Sequence, residues 1–208
     1  MISRTLRLLS ALLCYPEQDL LNALPDIARP EAGLPPDVQR FIAELVAMDL
    51  LDAQERYVAL FDRNRSLSLH LYEHVHGESR DRGQAMVRLA SLYQLHGLEV
   101  AANELPDYLP MYLEFLSVVP EKTARTMLAE AVHVVAAVAE KLEARDSPYA
   151  VILRAVETLA ARPAQPWAVQ EVLGHLDPKA DAPAALDRDW EDEAIRFTAP
   201  QEPPGARP

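Results

Sequence analysis

The chain has 208 residues, half of them hydrophobic, with 32 acidic against 20 basic side chains and a net charge of −12. That length supports one domain with a sizeable core, while the acidic balance excludes duplex nucleic acid and suits a basic partner. Only six glycines, with prolines mostly between periodic segments or near the C-terminus, point to an all-α fold.

Residues 4–14 set Leu6, Leu9 and Leu13 on one helical stripe, and Pro16 ends that helix. Its one cysteine, Cys14, excludes an internal disulfide and reads as a buried, inert thiol in a reducing cytosol. Residues 8–14 are too short to cross a bilayer, which takes about 20 apolar residues. They also lack a cleavage site, so they read as a first helix rather than a signal peptide. A second helix covers 17–27, and the proline-rich stretch 29–36 is a loop. Residues 37–48 form a third helix on Val38, Phe41, Ile42 and Leu45. Asp52 caps the next, which continues through Ala59, Leu60 and Phe61.

Ser66 reads as the N-cap of a helix running to about His76, with Gly77 just past its end. At about 100° per residue, Leu67, Leu71 and Val75 share one side and Tyr72 flanks them. His70 and Glu73 fall on the other side, with His74 at the boundary. Residues 81–96 are a long amphipathic helix on Met86, Leu89, Ala90 and Tyr93, closed by Gly97. Residues 103–110 form a loop restrained by Pro106 and Pro110.

Helix 109–119 carries Tyr112 and Phe115. Pro120 suits the first position of a long helix reaching about Ala144. Ser147 caps a helix through Ala160, and 167–176 make the last, giving a bundle of about nine to ten helices. From Asp177 onward, six prolines and eight acids accompany four basic residues. Residues 1–177 are therefore the helical domain, and 178–208 a disordered acidic tail with a docking segment at 190–197.

Chemistry concentrates between Arg56 and Arg88, where six arginines meet four acids in an otherwise acidic chain. His70, Glu73 and His74 match the H-x-x-E-H pattern of inverted zinc proteases. Three fixed residues are a weak signal, and a catalytic zinc needs a third protein ligand that no later segment offers. A zinc-dependent hydrolase is therefore the alternative reading, beside a helical adaptor with no cofactor-linked role.

Three motifs carry a resemblance. They are Leu60-Phe61-Asp62-Arg63, the fourteen residues from Glu73 to Met86, and Glu104-Leu105-Pro106-Asp107. Together they resemble the respiratory nitrate reductase assembly chaperones, the NarJ type within the TorD-like redox-enzyme maturation proteins. With Asp52-Ala53-Gln54 and Trp190-Glu191, the resemblance spans roughly 5–197. The loop departs from the family's usual Leu-Pro-Asp-His-Leu by placing Tyr108 at the histidine, and a tyrosine cannot titrate near neutrality.

The resemblance implies a cytoplasmic all-α TorD-like bundle that is not an enzyme and holds no cofactor or metal of its own. Its partner would be the apo catalytic (alpha) subunit of nitrate reductase, bound through a basic N-terminal segment. The chaperone would support insertion of bis-molybdopterin guanine dinucleotide before that subunit docks at the membrane. The expected partner-binding set is His70, Tyr72, Glu73, His74, Glu78, Arg80, Asp107, Tyr108 and Tyr112. Its carboxylates would meet the segment's cations, and its tyrosines the apolar face.

Overall fold

The computed structural model describes residues 2–27, 34–76, 80–100 and 104–175, with the backbone alone at 76 and 80. The acidic tail and its 190–197 segment lie outside the described residues, as does Glu78. Ten α-helices are found among the described residues: α1 Ile2–Leu12, α2 Gln18–Ile27, α3 Pro36–Ala47, α4 Leu50–Tyr57, α5 Glu73–His76, α6 Arg80–Leu95, α7 Leu109–Val118, α8 Glu121–Glu143, α9 Ala150–Thr158 and α10 Pro166–His175. The fold is all-α, as the apolar periods require.

Helix α8 is the centre. Val132 and the unbroken run from Val134 to Ala139 are all buried, so neighbours surround that part of the helix rather than flanking one stripe. Helices α7, α9 and α10 pack on it. Helix α1 lies along α7, with Leu6, Leu9 and Leu13 fully buried as their stripe predicts. The buried Ser10 hydroxyl donates to the Pro110 carbonyl at 2.6 Å, tying α1 to the start of α7. A cluster of Phe41, Tyr57, Phe61 and Tyr149 closes the far side, with edge-on contacts of 4.8 Å for Phe41–Tyr149 and 5.1 Å for Phe61–Tyr149. The Arg56 guanidinium stacks over Phe41 and Tyr149 at 6.0 and 5.5 Å.

Several boundaries differ from the sequence reading, each for a local reason. Asp49, not Asp52, caps α4, its carboxylate accepting from the Leu51 amide at 2.9 Å. That helix ends in a π-turn, Val58–Asp62. Pro120 stands at the N-cap of α8, one residue before the expected position. Ser147 offers no side-chain cap, since α9 begins at Ala150 after Tyr149. Gly97 does close α6, at φ +75°, a conformation that favours glycine.

The largest departure is the expected 66–76 helix. A short 3₁₀ turn, Arg65–Leu67, is followed by an extended stretch and then by α5, which holds only four residues. Ser66 lies inside the 3₁₀ turn rather than at the start of a helix. In the extended stretch His70 pairs antiparallel with Tyr108. The Leu71 amide donates to the Asp107 carbonyl at 3.0 Å, and the Leu109 amide to the Leu69 carbonyl at 2.8 Å. This two-sided ribbon is the β pairing among the described residues.

Candidate functional site

The ribbon is built around Asp107, which is 0% exposed. One carboxylate oxygen accepts from the Tyr72 amide at 2.9 Å, and the other faces His70 Nδ1 at 3.2 Å. The turn leading into it is fixed by the Tyr93 hydroxyl of α6, which donates to the Pro106 carbonyl at 2.7 Å. Asp107 therefore holds 70–72 against 105–109, and its charge is spent inside the molecule. The expected direct pairing of Asp107 with a partner's cation is not available in this arrangement.

Ser68 ties together the turn that leads into α5. Its hydroxyl accepts from the His70 amide at 3.2 Å and donates to Glu73 Oε2 at 2.7 Å. Glu73 also meets Arg65 at 3.6 Å, so its carboxylate is already engaged. Glu73 and Arg65 thus neutralise part of the basic island locally.

His74 is not at a polar boundary but buried, 2% exposed. Its Nε2 lies 2.7 Å from the Ser68 carbonyl, which fixes the proton there. Its Nδ1 has no partner among the described residues. The zinc pattern loses its geometric premise, because His70 and His74 do not share a helix. His70 turns one nitrogen to Asp107 and His74 turns one to a backbone carbonyl. Among the described residues no group of three or more metal-ligating side chains converges. Treatment with a chelator is expected to leave the melting temperature unchanged; a drop reversed by zinc would restore the metal reading.

Burial pulls the His74 imidazole below its ordinary 6.5, with Lys141 adding to it, and the Ser68 carbonyl, Glu73 and Asp107 oppose the shift. The unfolded chain then binds a proton that the folded chain refuses. Stability is expected to fall as pH drops below about 6.5, and to level off once the folded-state value is passed. His74→Gln keeps a donor for the Ser68 carbonyl and removes the titration. Denaturant melts between about pH 7.5 and 5.5 should show a shallower loss for His74→Gln than for the parent chain. Equal slopes would remove His74 from the account.

Two cavities open beside the ribbon and share no lining residue. The first, about 230 Å³, is an apolar groove between the ribbon with α5, α6 and α8. Its walls are Leu71, Tyr72, Leu89, Tyr112, Met127 and Val134, with Arg88 and Glu130 as its two charged residues. Tyr112 is 5% exposed and its hydroxyl donates to the Met127 carbonyl at 3.0 Å, so it forms structure as well as surface. The second cavity, about 290 Å³, takes His70 and Tyr108. The expected site residues are thus divided, with Tyr72 and Tyr112 in one cavity and His70 and Tyr108 in the other. Arg80 begins α6. Glu130 was missed by the sequence reading. Its signal was there, since Met127, Glu130, Ala131 and Val134 recur at helical spacing and all line the groove.

Tyr108 packs on the His70 ring at 5.4 Å. Its hydroxyl meets that of Tyr57 at 2.9 Å. Burial pushes its phenol up to about 12, with Cys14, Glu104 and Asp62 adding to it. Tyr108 therefore stays neutral and serves as a hydrogen-bonding wall. Among the described residues, no helix is long and apolar enough to cross a membrane.

Residues 29–155 match the family model described as nitrate reductase delta subunit. The nitrate reductase molybdenum cofactor assembly chaperone NarJ of Escherichia coli K12 is 45% identical over 159 residues, covering 76% of this chain and 67% of that protein. NarW of the same strain, described as a probable chaperone of the same kind, is 36% identical over 192 residues, covering 92% and 83%. A crystal structure from Archaeoglobus fulgidus, described as a redox enzyme maturation protein, superposes with a TM-score of 0.57 at 27% identity, covering 76% of this chain and 93% of that one.

Proposed function

Because the chain belongs to the nitrate reductase delta subunit family, we propose that it is a non-catalytic assembly chaperone for a nitrate reductase. In this reading it works in the cytoplasm on the immature catalytic subunit and engages a basic, amphipathic N-terminal segment. It keeps that subunit from its membrane partner while bis-molybdopterin guanine dinucleotide, the client's cargo, is inserted.

The observation that carries the binding mode is the apolar groove framed by the ribbon, with Tyr72 and Tyr112 in its walls. A helix laying its apolar face there would bury surface on both sides, with aromatic side chains as anchors. Glu130 replaces Asp107 as the carboxylate placed to meet a cation of the segment. The −12 net charge speeds encounter with a basic segment and makes the rate fall as salt rises.

The test uses the purified catalytic subunit in two forms, free of cofactor and fully loaded. The chain is expected to capture the cofactor-free form in preference. Equal capture of both forms would leave a helical adaptor and remove the chaperone reading.

A further inference from the structure

The second cavity is unlike the groove in what it offers a ligand. Its walls are Tyr15, Tyr57, Tyr108 and His70, with Asp62 and Glu104 alongside. Phe61 and Leu69 complete the lining.

The proton inventory decides what can bind. The Tyr57 hydroxyl donates to the Leu13 carbonyl at 2.9 Å, which uses its one proton. In its contact with Tyr108 the proton must then come from Tyr108, so both phenolic hydrogens are spent. His70 directs Nδ1 at the Asp107 carboxylate, which can only accept. Asp62 and Glu104 are exposed and make no hydrogen bond or ion pair among the described residues. The two carboxylates are therefore open to accept, while the phenolic protons of Tyr57 and Tyr108 are already used.

The surroundings are negative as well. Burial, then Glu114, Glu104 and Glu17, push the Cys14 thiol up to about 11. Glu104 and Asp62 act in the same direction on Tyr108. A cavity with two open carboxylates and aromatic walls suits a cation that carries several donors and sheds water readily. A guanidinium has five donors in a plane, stacks on aromatic rings and is weakly hydrated, whereas an ammonium holds its water more strongly.

We propose that the cavity between Tyr15, Tyr57, Tyr108, His70, Asp62 and Glu104 is a guanidinium site, filled by an arginine of the client segment. The choice of occupant rests on the chaperone reading above. The chemistry of the site does not.

The test separates the two. N-acetyl-arginine amide and its neutral isostere N-acetyl-citrulline amide are titrated into the full chain, following the tyrosine ring resonances by NMR. The arginine compound is expected to shift the Tyr15 and Tyr108 rings, with the citrulline compound at least about tenfold weaker. Asp62→Asn with Glu104→Gln, both at exposed positions and checked for an unchanged melting temperature, should weaken arginine binding by about tenfold. Equal binding of the two compounds, or no loss in the double variant, would overturn the site.

In a second arm each arginine of the client's N-terminal segment is replaced in turn by citrulline. One replacement should cost about tenfold in the parent chain and almost nothing in the double variant. If the arginine compound binds but no replacement matters, the client segment is overturned as the occupant. If the arginine compound binds and the segment itself does not, the segment-binding reading fails while the guanidinium site stands.

Discussion

Asp107→Ala is expected to cost about 3 kcal/mol of stability, the order expected when a buried carboxylate is taken away from two hydrogen-bond donors. The carboxylate is fully buried, and its removal strands the Tyr72 amide and the His70 Nδ1–H without an acceptor. A fully buried donor left unpaired costs roughly 1–3 kcal/mol, and these two part-buried donors lie in the lower half of that range. For a chain of this size the melting temperature should fall by about 6–12 °C. Asp107→Asn keeps an oxygen for the Tyr72 amide and should lose less, about 1 kcal/mol. The measurement is a denaturant titration of the parent and both variants. An alanine variant within about 0.5 kcal/mol of the parent would mean that the ribbon does not depend on this carboxylate.

That result would also explain why a loop aspartate reads so readily as a binding residue. In the sequence, Asp107 sits between two prolines in an acidic protein, and every local cue places it at the surface. Its amide and imidazole partners lie 35 and 37 residues away, at Tyr72 and His70. No periodicity reports a contact of that separation. The helices, by contrast, announce themselves locally. Leu6, Leu9 and Leu13 repeat at helical spacing and are all buried, and the apolar positions of α8 behave likewise.

The misread 66–76 segment had a legible signal that a stronger one masked. Leu67, Leu69 and Leu71 alternate with Ser68 and His70, the period of extended chain, and all three leucines are buried. The helical reading prevailed because Leu67, Leu71 and Val75 also fit a four-residue spacing. Val75 is in fact exposed, so the spacing was coincidental. The two-residue reach of the ribbon is too short to stand out against its helical neighbours.

Tyr72→Ala is expected to weaken binding of the client segment by about 2 kcal/mol, roughly thirtyfold in Kd. Tyr72 is half-buried in the free chain, packs against the edge of the core and lines the groove, so part of its ring is open to anchor an apolar face. Tyr112 lines the same groove but cannot test the same point by truncation. It is almost wholly buried, packs within 6.4 Å of the Phe115 ring, and hydrogen-bonds the α8 backbone. Tyr112→Ala would remove a core aromatic at a cost of about 3–5 kcal/mol in stability, confounding any loss of binding. Tyr112→Phe removes only the hydroxyl, and should cost about 1 kcal/mol in stability and little in affinity. Glu130→Gln should weaken binding by no more than about 1 kcal/mol, as expected for a pair open to solvent. Its effect should also shrink as salt rises, unlike that of Tyr72→Ala. Calorimetry with the client's N-terminal peptide at low and high ionic strength measures all three. If Tyr72→Ala binds as tightly as the parent while the parent binds well, the segment lies elsewhere on the molecule and the groove loses its role.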